Sequence, residues 1–211
     1  MQTRHARLPR LALVAALAIT ATTAVAPARA SLIVALDTPA MVAGADTIAV
    51  VDVATVRAAW DARHERIVTT VELIVVESWK GAAAPAARVV VAQPGGTVDD
   101  ITMTVFGMPR FSPGERALVF LHGPTERAGV VGLAQGKRTM RPDPAGAAGA
   151  TGATGERWLI APPQRAGAAF VRTATSGPRV PVFDAVARPL DEVRAEIRAE
   201  ILAHAARGGV R

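Results

Sequence analysis

Three histidines follow residue 30, and their spacing decides what chemistry they can do: His64, His122 and His204 stand far apart. A zinc site draws on short spacings such as H-x-x-x-H, H-E-x-x-H or paired C-x-x-C, and none occurs. The chain has no cysteine. After residue 30 the serines are Ser31, Ser78, Ser112 and Ser176, none within G-x-S-x-G or S-x-x-K. No activated nucleophile is therefore expected. Ser112 precedes Pro113-Gly114 and reads as a turn residue. Asp99-Asp100 supplies two hard oxygen ligands of the kind calcium takes, but without the further spaced oxygens of a calcium loop. Gly95-Gly96 lacks the context of a phosphate cradle. These residue types predict no catalytic residue, no metal and no cofactor, and hence a protein that is not an enzyme.

Two other groups of residues stand out. Asp52 and Glu72 interrupt apolar runs, and a charge buried there requires a partner. Arginines such as Arg57 or Arg88 could provide it, or the carboxylates could face solvent at a strand edge. The second group is Met103, Phe106, Met108 and Phe111, four large apolar side chains within nine residues. Either this segment plugs the end of the fold, or part of it stays exposed as a partner-binding loop, where Met adapts and Phe anchors.

The elements that would position these groups begin after an export signal. Arg4, Arg7 and Arg10 precede an apolar run from Leu11 to Ala26, which ends in Pro27-Ala28-Arg29-Ala30. Basic, apolar and small-residue regions in that order form a secretory signal peptide over 1–30, cut after Ala30 to leave Ser31 first. The run is short of the roughly 20 residues that span a bilayer, so no membrane span is expected after cleavage. The product is periplasmic or extracellular. Of the 24 basic residues four lie in the signal, which has no acid, so residues 31–211 carry 20 basic against 18 acidic. That balance, without a basic cluster and with eight aromatics in all, gives no support to nucleic-acid binding. Without disulfides, burial must supply the stability.

From residue 46 the pattern has period two, which marks strands. Asp46 to Trp60 and Arg66 to Trp79 form a long hairpin with a polar tip at 61–65. Ile67, Thr69, Val71, Leu73 and Val75 share one face of the second strand, and strands of this length must bend or bulge. Further strands are expected at 88–92, 101–105, 117–121, 129–133 and 157–161. The barrel core is assigned to 31–140. The glycine- and alanine-rich 141–156 is expected to be a flexible loop. Residues 157–187 hold the last strand and a Pro/Gly-rich stretch. A helix over 188–207 carries Leu190, Val193, Ile197 and Ile201 on one stripe, with Pro189 at its first position.

Arg66-Ile67-Val68-Thr69, Trp79-Lys80-Gly81, Pro94-Gly95-Gly96, Gly107 to Glu115 (GMPRFSPGE), Val119-Phe120-Leu121 and Gly132 to Lys137 (GLAQGK) carry a resemblance. Together they resemble a family of uncharacterised secreted bacterial proteins, over about half of the chain after the signal. The resemblance implies a small OB-like β-barrel, closed or partly open, similar in shape to netrin-like and metalloproteinase-inhibitor domains. Inhibitors of that shape chelate the protease metal through an N-terminal cysteine, and Ser31 cannot do this.

The sequence thus predicts a mainly β, exported, non-enzymatic domain with a docked C-terminal helix, binding a secreted protein or an envelope component. Two other functions remain open. One is an inhibitor or accessory of a secreted protease acting through a loop; the other is an unrecognised hydrolase.

Overall fold

The computed structural model describes residues 35–144, 157–163 and 186–208. The expected signal peptide with Ser31, most of the expected 141–156 loop and most of the Pro/Gly-rich stretch lie outside the described residues. Helix α1 (Thr38–Gly44) precedes strands β1 (Thr47–Trp60), β2 (Ile67–Lys80), β3 (Arg88–Pro94), β4 (Gly96–Val98) and β5 (Ile101–Met103). There follow β6 (Arg116–His122), β7 (Gly129–Val130), a 3₁₀ turn (Leu133–Gly136), β8 (Lys137–Pro142), β9 (Trp158–Ile160), β10 (Arg188–Pro189) and helix α2 (Leu190–Gly208).

The fold is mainly β. An antiparallel sheet runs β10-β9-β8-β6-β1-β2-β3, with β7 also on β6, and β4-β5 form a separate hairpin. The named strands form an open path rather than a closed barrel. Beyond β3, Val91 makes a single parallel bridge to Ala128. Hydrogen bonds from Val90 N to Thr125 O (2.7 Å) and from Ala128 N to Val90 O (2.8 Å) flank it.

Period-two alternation along β1 creates two cores. Ala49, Val51 and Val53 face one way, where they meet Val71, Leu73, Val89, Val119 and Leu121. No described helix covers this face; Ala83, Phe111 and Ala128 pack onto it. Ile48 and Val50 face the other way, with Leu118 and Phe120, beneath the two helices through Met41, Val42, Val193 and Ile197. All five residues expected on one face of β2 are buried, from Ile67 to Val75. Register shifts in the β1–β2 ladder, between Ile48 and Ala49, Val50 and Val51, and Val53 and Thr55, let these long strands coil.

Helix α1 carries no periodic stripe, and its ends explain it. Asp37 caps the N-terminus by accepting from Ala40 N at 2.9 Å. Lys80 Nζ donates to the terminal carbonyls of Val42 (2.8 Å) and Ala45 (2.6 Å), groups a helix cannot satisfy itself. Helix α2 buries Val193 and Ile197, as its stripe predicts, and is tied to β2 by Arg194 to Glu77 at 2.9 Å.

Several expected boundaries move. Strand β7 stops at Val130, because Gly132 is left-handed and the chain turns into the 3₁₀ segment. Arg141 and Pro142, expected to open the 141–156 loop, belong instead to β8 and pair with Leu159 and Trp158. Pro189 belongs to β10, opposite Leu159, and the helix starts at Leu190 rather than 188. Strand β4 pairs with β5 although it carries Gly96, at φ 136. A Cβ there would come within 2.6 Å of Thr69 Oγ1 and 2.8 Å of Ala58 Cβ, so only glycine lets the hairpin lie this close to β1 and β2.

Candidate functional site

The segment linking β5 to β6, residues 104–115, is held from several sides. Lys137, the first residue of β8, is fully buried. Its Nζ donates to Arg110 O, pairs with Glu115 Oε1 at 2.6 Å and lies 5.0 Å from the Phe111 ring centre. Glu115 Oε1 also accepts from Ser112 N at 2.8 Å. Gly114 N donates to Val53 O and Val53 N to Glu115 O, which anchors the end of the loop on β1. Ala134 N donates to Gly107 O at 2.8 Å, fixing its beginning.

This scaffold separates the four apolar residues. Phe111 is buried in the core with Val53 and Val71. Phe106 is 51 % exposed, beside Gly107 at φ 84. Met103 is half-buried in β5 opposite Gly96. Met108 is half-buried and, with Pro109, forms one wall of a groove of about 150 Å³ between β3 and β7. On the β7 side, β3 is joined by the Val91–Ala128 bridge and by Ala92 N donating to Ala128 O, and Val91, Ala92, Gln93 and Pro94 line the groove.

Gln93 and His122 contribute the polar groups of the lining. Gln93 Nε2 donates to Pro109 O at 2.9 Å, while its Oε1 is buried and has no partner among the described residues. The His122 ring lies against Gly129 so closely that a Cβ there would be 2.5 Å from Nε2. Gln93 and His122 escaped the sequence reading as members of a site because they are brought to Met108 from strands distant in sequence; no local pattern marks them.

The other candidates stay apart. His64 stacks on Trp60 at the β1–β2 tip, with ring centres 6.2 Å apart, and His204 is half-buried on α2. Asp99 and Asp100 form the exposed turn of the β4–β5 hairpin, Asp99 at φ 51. No group of three or more His, Cys, Asp or Glu that could hold a metal occurs among the described residues. Asp52 pairs bidentately with Arg116 at 2.6 and 2.8 Å, not with Arg57, and Arg116 in turn covers the Trp158 ring at 4.8 Å. Glu72 pairs with Arg88. These carboxylates are held as structural ion pairs.

At the helix junction, desolvation raises the pKa of Glu196. Hydrogen bonds from Arg188 (2.7 Å) and Thr38 (2.8 Å), with the charge of Arg188, outweigh it and hold the carboxyl below its ordinary range. No described helix is long and apolar enough to cross a membrane. No family model, curated protein or solved structure matches the chain, so these comparisons point to no enzyme family.

Proposed function

We propose that the chain is an exported, non-enzymatic domain with an OB-like barrel, binding a secreted protein or an envelope component through Phe106 and the adjacent Met108 groove. The exposure of Phe106 carries this reading. A large aromatic group stays in solvent while the backbone bonds and the Lys137–Glu115 pair fix the loop around it. Rigid aromatic anchors beside a cleft are the usual energetic centres of protein interfaces, since little side-chain freedom is lost on binding.

The pairing pattern supports the barrel. β1 pairs with β2 and β6, β2 with β3, β6 with β7, and the segment entering β7 bridges in parallel to β3. Followed in turn, these contacts give the order β1-β2-β3-β7-β6 and return to β1, the connectivity of an OB-like barrel. The core face that no described helix covers, with Phe111 packed onto it, would then be the barrel interior.

The test is a photo-crosslinking residue placed at Phe106, with another at exposed Ala54 as control, in cells that produce the protein. A discrete adduct formed from position 106, absent from position 54 and competed by excess unlabelled protein, is expected. No such adduct would overturn the reading. The same rigid loop with an exposed Phe favours a second reading, insertion into a protease with aromatic specificity. Stoichiometric titration of such a protease to loss of activity would support it.

A further inference from the structure

We infer that the outer edge of β5 takes up one extended strand of a partner polypeptide, and that this strand carries a basic residue beside Asp99 and Asp100. The inference rests on the partner-binding reading above and adds the form and charge of what binds next to Phe106.

Backbone geometry sets the form. Strand β5 pairs only with β4 among the described residues. The two-residue turn Asp99-Asp100 makes Val98 and Ile101 the closing pair, which exchange both ladder hydrogen bonds. Pairs alternate along an antiparallel ladder, so Thr97 and Thr102 face each other without such bonds. Their hydroxyl oxygens lie 2.9 Å apart, in keeping with the closer side chains of such a pair. The N–H and C=O of Thr102 therefore point away from β4. Thr102 is exposed, and neither group has a partner among the described residues. An added extended strand supplies an acceptor and a donor together at this spacing.

Side chains set the second constraint. Sheet edges are normally blunted by lysine, proline or a bulge. Residues 101–106 (ITMTVF) hold no charge, no proline and no glycine, a composition that favours strand pairing. Ile101 is 55 % exposed and Phe106 51 %. A strand laid along this segment runs past both.

Charge selects the occupant. Asp99 and Asp100 stand exposed at the end of this edge and pair with no cation among the described residues. A second copy pairing through its own β5 edge brings them no counter-charge, since residues 101–109 contain no Lys, Arg or His. A foreign strand with a lysine or arginine at that end gains an ion pair as well as the backbone bonds.

The experiment titrates the protein recovered from outside the cytoplasm with two capped peptides, acetyl-KKVTVTV-amide and its reverse, acetyl-VTVTVKK-amide. Between them they offer lysines to the Asp99-Asp100 end in either strand direction. NMR should show saturable binding of at least one, with hydrogen exchange at the Thr102 amide slowed in the complex. N-methylation of one alternate set of that peptide's residues should abolish binding. Methylation of the other set, whose N–H groups face solvent, should leave it nearly unchanged. Glutamates in place of the lysines, or the variant Asp99→Asn/Asp100→Asn, should weaken binding by about two- to fivefold per ion pair lost. Thr102→Pro removes only the outward donor, because the β4 ladder uses none there, and should abolish binding. No saturable binding, equal effects of the two methylation patterns, an unprotected Thr102 amide or affinity indifferent to charge would each overturn the inference. So would Thr102 protection that grows with protein concentration alone, which would give the edge to a second copy. The methylation comparison on wild-type protein decides the matter even if a variant fails to fold. An adduct from position 106 without peptide binding would sink this inference alone, whereas loss of the adduct removes the reading beneath it.

Discussion

Lys137 and Glu115 form an ion pair at 2.6 Å in which the lysine side chain is fully buried and the carboxylate is 16 % exposed. Twenty-two residues separate them, and the pair joins the start of β8 to the end of the 104–115 loop. A buried pair of this kind adds little net stability over an apolar substitute, because desolving both charges offsets their attraction. It does fix geometry: one ammonium holds Arg110 O, Glu115 and the Phe111 ring together.

Breaking the pair from one side should therefore cost more than removing it. Lys137→Met and Glu115→Leu are each expected to lower stability by about 3–5 kcal/mol, since each strands the other charge. The double variant should lose less than the sum, by about 1–3 kcal/mol of coupling. Urea denaturation of the four proteins measures this, and strict additivity would show that the two residues act independently.

The two loop phenylalanines should behave oppositely. Phe111→Ala opens a core cavity and is expected to cost about 3–5 kcal/mol. Phe106→Ala removes a half-exposed ring and should cost well under 1 kcal/mol. Chemical denaturation separates them, and a large loss from Phe106→Ala would show that this ring belongs to the core.

Glu196 should make stability depend on pH in the acid range. Its folded pKa lies below the unfolded value of about 4.5, so the ionised carboxylate stabilises the fold above that pH. This contribution is lost as pH falls through the folded pKa. Glu196→Gln should be less stable than wild type at neutral pH, and the gap should close on acidification. Melting curves from pH 7 to pH 3 test it, and a gap of constant size would refute it.

Export predicts a defined product. Intact mass of protein recovered from outside the cytoplasm should correspond to a chain beginning at Ser31, because Ala28-x-Ala30 follows the apolar run at the spacing of a cleavage site. Retention of Met1 in a membrane-bound form would contradict it.

The sequence by itself determined the features written in local periodicity. Alternation in β2 assigned residues to faces correctly, because successive side chains on a strand must point to opposite sides whatever lies beyond them. The stripe Leu190, Val193, Ile197 and Ile201 likewise identified α2 and its docked face. Helix α1 was not legible, since its stability comes from an aspartate cap and from Lys80, which arrives from 35 and 38 residues away. Arg57 and Arg88 were both open as partners for either carboxylate; Glu72 takes Arg88 from the neighbouring strand, whereas Asp52 turned to Arg116, 64 residues on, across the β1–β6 ladder. Only the tertiary structure decided the candidate site. Phe106 and Phe111 are the same residue type five positions apart in an irregular loop, where no period assigns a side chain to a face. The ammonium of Lys137, delivered by β8, draws Phe111 inward, and the turn at Gly107 leaves Phe106 in solvent.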